Sequence, residues 1–272
     1  MKHLSRAYLI LIFGILYIPI LTLILFSFNS SSSTASFTGF SLEWYAELFA
    51  SAETFIALRN SLILAVLSAL ISTVIGTAAA EGIYKMRCKF MKSAVNSVTN
   101  IPMMNPDIVT GMSMMLFFVA VAAIIGLEYE SVGFTAMLIS HTTFCLPYVI
   151  LSVLPRINEL GDSLSEAALD LGCTPIQAFF KVKLPNIMPG VLSGMIMAFT
   201  MSLDDFVISY FVGSSNFQTL PLLIYSMTKK KVTPDMYALS SLIIVTVFVL
   251  LVLSNIKSGK KLDAKKKGGK LK

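Results

Sequence analysis

Charges along this chain are sparse and fall at intervals, leaving long uncharged apolar stretches between them. Residues 7–28 follow Arg6, residues 60–80 lie between Arg59 and Glu81, and residues 108–127 lie between Asp107 and Glu128. A fourth stretch, 131–155, ends at Arg156. A fifth, 186–212, is apolar apart from Asp204 and Asp205, and a sixth, 236–256, ends at Lys257. A bilayer core about 30 Å thick takes roughly 20 apolar helical residues, and every one of these stretches has that length. The pattern predicts an all-α, polytopic membrane protein with six transmembrane helices. The first stretch has a rival reading as a secretion signal, since Lys2 and Arg6 precede it and a Ser-rich run follows Asn29. Its apolar run is longer than the roughly 7–15 residues of a signal core, which favours a span.

Composition agrees with lipid as the main solvent. Of 272 residues, 56% are hydrophobic and 13% charged, with mean hydropathy +0.79. Soluble domains run at about 45–50% and about 25% respectively. An ordinary soluble enzyme and a disordered chain are both excluded. The net charge of +6 does not point to nucleic acid, because the basic excess collects in residues 257–272 and no basic surface is interleaved with aromatics. Cys88, Cys145 and Cys173 stand far apart, so neither a metal site nor a disulfide framework is expected.

The side on which Lys and Arg collect sets the orientation. With the N-terminus inside, every basic residue is cytoplasmic except Arg59 and the run Lys229, Lys230, Lys231. Both termini are then cytoplasmic. The outside lysine run breaks the rule, either because it dips to the membrane surface or because a partner supplies acidic charge. Residues 1–272 read as one membrane domain with a core over about 56–256, and 257–272 is a Lys-rich cytoplasmic tail beside anionic lipid.

The segment 156–185, between the fourth and fifth spans, is too patterned for a turn. Ser163 and Glu166 have the spacing of a capping box. Leu164, Ala167, Ala168 and Leu171 form one apolar stripe at helical spacing. Gly172 sits where a helix C-terminus favours positive φ, and Thr174-Pro175 opens a second helix with proline at its first position. That helix runs through Phe179, Phe180 and Val182 to Leu184, and Pro185 is expected to stop it. Such a hairpin either docks on another protein or packs on its own bundle.

Asp204 and Asp205 lie inside the fifth span, and a carboxylate at a helix centre costs about 2.5–3.5 kcal/mol on insertion scales. A continuous helix would put Gly190, Gly194, Ala198, Ser202, Asp205, Ser209 and Gly213 on one small, polar face turned to protein or water. Asp204 would then fall about 100° away with Thr200 and Ile208. An intramembrane aspartyl protease needs two carboxylates facing each other from different helices, which adjacent residues on one helix cannot supply. Two readings stay open: a structural bond to a neighbouring helix or subunit, and a cation path in which Phe206, Tyr210 and Phe211 add cation–π faces. His141, beside Ser140, is read as a side chain bonded to a neighbouring helix. Pro147 is expected to mark a kink whose freed carbonyl a neighbour satisfies.

The hairpin carries a specific resemblance. Glu166-Ala167-Ala168, then Gly172, Val182 and Leu184-Pro185 match the EAA motif of ABC importer permeases, with valine where isoleucine is usual. The motif implies that Glu166, Ala167, Ala168, Gly172, Leu184 and Pro185 contact an ATP-binding subunit. This chain has no G-x-x-x-x-G-K-[ST] sequence to cradle a phosphate, so it is expected to be non-catalytic, without cofactor, with ATP and magnesium on a separate ATPase. Further stretches resemble spermidine/putrescine importer permeases: IP at 18–19, PDIV at 106–109, SHTTFCLP at 140–147, SLDD at 202–205 and LPLLIYSM at 220–227. The resemblance implies polyamine import by alternating access at a bacterial inner membrane. It also implies a second homologous permease, an ATPase dimer and an extracytoplasmic polyamine-binding protein as partners. Asp204, Asp205, Phe206 and Tyr210 become candidates for the substrate path. Iron and phosphonate permeases share much of this background, and a non-transport membrane protein, either a scaffold or an intramembrane enzyme, is the remaining class.

Overall fold

The computed structural model describes residues 2–31, 36–214, 217–229, 236–242 and 244–245. Its elements are helical throughout: α1 (Lys2–Phe26), α2 (Glu43–Ala50), α3 (Ala52–Lys85), α4 (Lys89–Met104), α5 (Asp107–Ile125), α6 (Tyr129–Leu160), α7 (Ser163–Asp170), α8 (Pro175–Ala178), α9 (Leu184–Asp204), α10 (Val207–Val212) and α11 (Leu220–Lys229). A π-helical stretch, Phe179–Lys183, joins α8 to α9. Among the described residues there is no strand, only an isolated bridge between Asn29 and Phe40.

Four helical segments among the described residues are long and apolar enough to cross a membrane: Ala52–Lys85, Asp107–Ile125, Gly133–Leu160 and Pro175–Asp204. Within α1, Leu11–Phe26 is a shorter apolar helix. The predicted sixth span falls mostly outside the described residues, as do Lys230, Lys231 and the tail 257–272, so the count of six is not established. Residues 236–242 are helical. Large apolar side chains such as Val74, Leu116, Phe117 and Ile124 are exposed. Lipid allows this and water would penalise it.

Contacts divide the chain into two compact units, Met1–Phe55 with Leu223–Lys272, and Ile56–Leu222. In the first, Asn29 organises the turn after α1. Its amide nitrogen donates to the Ser36 carbonyl at 2.8 Å, its Oδ1 accepts from the Thr38 amide at 2.9 Å, and its carbonyl accepts from the Trp44 indole at 2.6 Å. The Tyr45 hydroxyl bridges Ser27 and Ser241, at 2.7 Å each.

The second unit is built around α6. Met137, His141, Cys145, Val149, Val153 and Ile157 recur along it at four-residue steps, and all are fully buried. α9 lies against this face through its own small residues, with Gly190, Gly194, Ala198 and Ser202 buried. Close approach of backbones is how membrane helices gain packing without a hydrophobic driving force between them. A Cβ on Gly190 would meet the Ser152 carbonyl oxygen at 2.9 Å and Arg156 Cγ at 2.6 Å. Gly190→Leu is therefore expected to destabilise the unit by about 1–3 kcal/mol or more. A thermal melt of the detergent-purified chain checks this, and an unshifted midpoint would contradict the packing.

Two expectations are corrected here. The fifth span is not one helix: α9 ends at Asp204, Asp205 is extended (φ −68°, ψ 121°), and α10 starts at Val207. The small, polar face therefore does not run unbroken to Gly213. Pro185 does not stop its helix either, because Pro175–Asp204 is helical throughout. The Leu184 amide reaches back five residues to the Phe179 carbonyl, and this wider turn makes room where a regular α-helical turn clashes with a proline ring. In addition, α4 occupies residues between the second and third expected spans to which the sequence pattern assigns no element. Its apolar positions Phe90, Met91, Val98 and Ile101 share one side and are exposed.

Candidate functional site

The 163–185 hairpin is built as follows. α7 has Asp162, not Ser163, at its N-cap, without a side-chain cap. The predicted Ser163/Glu166 capping box is therefore absent, because Ser163 already lies inside the helix. The box forms one helix later: Thr174 Oγ1 accepts from the Gln177 amide at 3.3 Å, and Gln177 Oε1 accepts from the Thr174 amide at 3.1 Å. Pro175 follows at the first helical position.

Between the two helices, Gly172 takes φ +86°. The Cys173 amide donates to the Ala168 carbonyl (3.0 Å) and the Gly172 amide to the Leu169 carbonyl (2.9 Å). This pair of bonds is the Schellman closure, which satisfies carbonyls that the helix end leaves over.

Ala168 and Ala178 are buried at the hairpin's inner side. The apolar stripe expected on α7 is not an inward stripe, since only Ala168 of its four members is buried. Leu171 is 86% exposed and Ile176 71% exposed. Leu164, Leu169 and Phe180 are exposed as well. Glu166 and Ala167 are exposed, Leu184 is half-buried against the core, and Pro185 is exposed. The hairpin thus presents a charged residue and several large apolar side chains outward.

The second candidate is the break in the fifth span. Asp204, the last residue of α9, is exposed, whereas the Asp205 side chain is 7% exposed. Asp205 Oδ2 accepts from the Ser209 amide at 2.9 Å and Oδ1 from the Ile208 amide at 3.4 Å, satisfying the free donors at the start of α10. His141 of α6 spans the break: Nδ1 lies 2.8 Å from Ser202 Oγ on α9, and Nε2 lies 3.1 Å from Ser209 Oγ on α10 and 3.5 Å from Asp205 Oδ2. Ser68 Oγ of α3 donates to Ser202 Oγ at 2.8 Å.

Adjacent aspartates therefore have opposite surroundings. Asp205 belongs to a buried network tying four helices, and Asp204 lies outside it. Phe206 and Tyr210 are in ring contact at 5.5 Å, and Tyr210 is 47% exposed. An exposed carboxylate two residues from an aromatic pair suits a cation shedding water. Among the described residues no group of histidine, cysteine, aspartate and glutamate could hold a metal ion.

One group escaped the reading of the sequence. Lys183, counted there only as an inside charge, is 3% exposed and paired to Glu81 of α3, with Nζ 2.9 Å from Oε1 and 2.8 Å from Oε2. The signal that could have found it is a lysine set between Val182 and Leu184, with Glu81 as an opposite charge at the edge of the second span.

Comparison with known proteins agrees with this architecture. Residues 72–257 match the family described as the binding-protein-dependent transport system inner membrane component. The chain is 38% identical over 253 residues to a spermidine/putrescine transport system permease protein of Haemophilus influenzae, covering 93% of this chain and 95% of that protein. It is 39% identical over 236 residues to the putrescine transport system permease protein PotI of Escherichia coli K12, covering 87% and 84%. A bacterial ABC transporter that imports the acidic polysaccharide alginate has a chain of the same fold. Its TM-score is 0.74 at 17% identity, with 95% of this chain and 98% of that one covered. The chain belongs to the inner-membrane permease family of binding-protein-dependent ABC importers, and it is a multi-pass membrane protein.

Proposed function

We propose that this chain imports polyamines, spermidine or putrescine, as one permease of an assembly driven by a separate ATPase pair. A second homologous permease completes the path, and an extracytoplasmic binding protein delivers the substrate. Both termini and the 163–185 hairpin face the cytoplasm, and 1–272 acts as one membrane domain with its transport core over about 56–256. ATP binding closes the ATPase pair, the hairpin transmits that movement, and the spans open outward to accept substrate. Hydrolysis restores the inward state. ATP and magnesium sit on the ATPase, and this chain does no chemistry.

The observation that carries the reading is the hairpin itself. Large apolar side chains held outward on a glycine-closed turn, beside exposed Glu166, form a surface made to be covered. The EAA spacing of Glu166, Ala167, Ala168, Gly172, Leu184 and Pro185 supports the ATPase as what covers it. The names of the relatives support polyamines, and so does the exposed Asp204 two residues before Phe206, whose ring contacts Tyr210.

ATP-dependent uptake of labelled spermidine or putrescine into proteoliposomes holding the full assembly tests this. Saturable uptake that stops when ATP is withheld is expected. Transport of ferric iron or an organophosphonate with no polyamine uptake would overturn the substrate assignment. ATP-independent flux would overturn the mechanism.

A further inference from the structure

The π-helical turn carries two lysines with opposite fates. Lys181 is exposed, while Lys183 is turned inward onto Glu81. An inserted residue in a helical turn re-aims the side chains that follow, and such turns cluster at functional positions. Lys183 Nζ also stands 4.5 Å over the Tyr84 ring. Lys92 of α4 lies 5.5 Å from that ring and donates to the Tyr84 carbonyl at 3.4 Å. The end of α3 is thus held by the second limb of the hairpin and by α4.

The same helix reaches the broken span. Ser68 lies thirteen residues before Glu81, about 20 Å along one helix at 1.5 Å per residue, and it donates to Ser202 beside the break. A buried ion pair adds little net stability over an apolar contact, yet it holds a single geometry and penalises separation strongly. That suits a joint between two parts that must move together.

We propose that the Glu81–Lys183 pair is the joint by which the hairpin moves α3, and through α3 the break at Asp204–Asp205. Both residues are positioning residues, and the inference rests on the importer reading above. Removing either charge should leave the outward face of the hairpin, and so the bound ATPase, in place. Hydrolysis would continue without its stroke reaching the span.

The test is the number of polyamine molecules transported per ATP hydrolysed in the reconstituted full assembly, for Glu81→Gln, Lys183→Gln and the exchanged pair Glu81→Lys with Lys183→Glu, the last also carrying Lys85→Gln because Lys85 pairs with Glu81 at 3.1 Å and would repel a lysine there. The single variants are expected to keep the ATPase and to lower that ratio about tenfold, within the range of energetic coupling carried by one contact. The exchanged pair should recover most of it. A wild-type ratio in either single variant would overturn the proposal. So would an exchanged pair that restores the melting temperature without the ratio, since that is the mark of a merely structural contact. Should the single variants fail to fold, the exchanged pair decides alone by whether its ratio is wild-type or low. An unsubstituted assembly with no ATP-driven uptake would instead fail the importer reading itself.

Discussion

Gly172→Val is expected to strip the ATPase from this chain and to lower ATP-driven uptake at least about tenfold. Residue 172 sits at φ +86°, and a β-branched side chain there carries strain on the order of 1–3 kcal/mol. Nothing within 4 Å would meet a new Cβ, so the cost is the backbone conformation itself, and leaving the left-handed region to relieve it opens the turn. Opening it breaks the two closing bonds, from Cys173 to Ala168 and from Gly172 to Leu169. Leu171 and Ile176, on either side, would then lose the arrangement that presents them together. Each 1.4 kcal/mol lost from that presentation is a factor of ten in affinity.

Gly172→Asn separates two explanations. Asparagine visits the left-handed region several-fold more readily than most residues, so it should retain most of the ATPase. Co-purification of the ATPase with each variant measures this. If asparagine were as damaging as valine, the glycine would be needed for contact with the partner and not for the turn. If valine were harmless, the hairpin would not be the docking element.

Much of this was legible because lipid simplifies the code. Where solvent is apolar, charges alone punctuate the helices, and Arg156, Asp107 and Glu81 mark ends to within a few residues of those found in α6, α5 and α3. The glycine turn at 172 and the proline start at 175 were legible for a different reason, since φ > 0 and a missing N–H are local demands that few residues meet. The errors share a cause as well. Ser163 offered a capping motif, but the helix starts around it, and Thr174 caps in its place. Pro185 was read by its rule for a regular α-helix, whereas the structure widens the turn before it. The break after Asp204 was invisible to periodicity because Asp205 continues the small face by spacing while leaving the helix by backbone. Lys183 and Glu81 lie about a hundred positions apart, and only the packing of α3 against the π-helical turn brings them together.

The two aspartates are expected to fail in different ways, and the difference identifies the substrate side of the break. Asp205→Ala removes the acceptor for two amides at the start of α10 and the carboxylate beside His141. Losing such a cap costs about 1–2 kcal/mol. The amides left over are buried near lipid, where water cannot replace the acceptor, which adds about 1–3 kcal/mol. A lower melting temperature and poor recovery of the chain should follow, with uptake falling because the bundle is lost. Asp205→Asn keeps one carbonyl oxygen able to accept from Ser209 and should lie between alanine and wild type. Asp204→Asn touches none of this network, since Asp204 is exposed at the last turn of α9. It should melt as wild type and still transport polyamine poorly, because a divalent or trivalent cation leaving water loses its carboxylate beside Phe206 and Tyr210. Melting curves and uptake measured on the same preparations decide the matter. A stable, inactive Asp205→Ala would move the substrate contact inward to the His141 network. A fully active Asp204→Asn would remove this face of the break from the path.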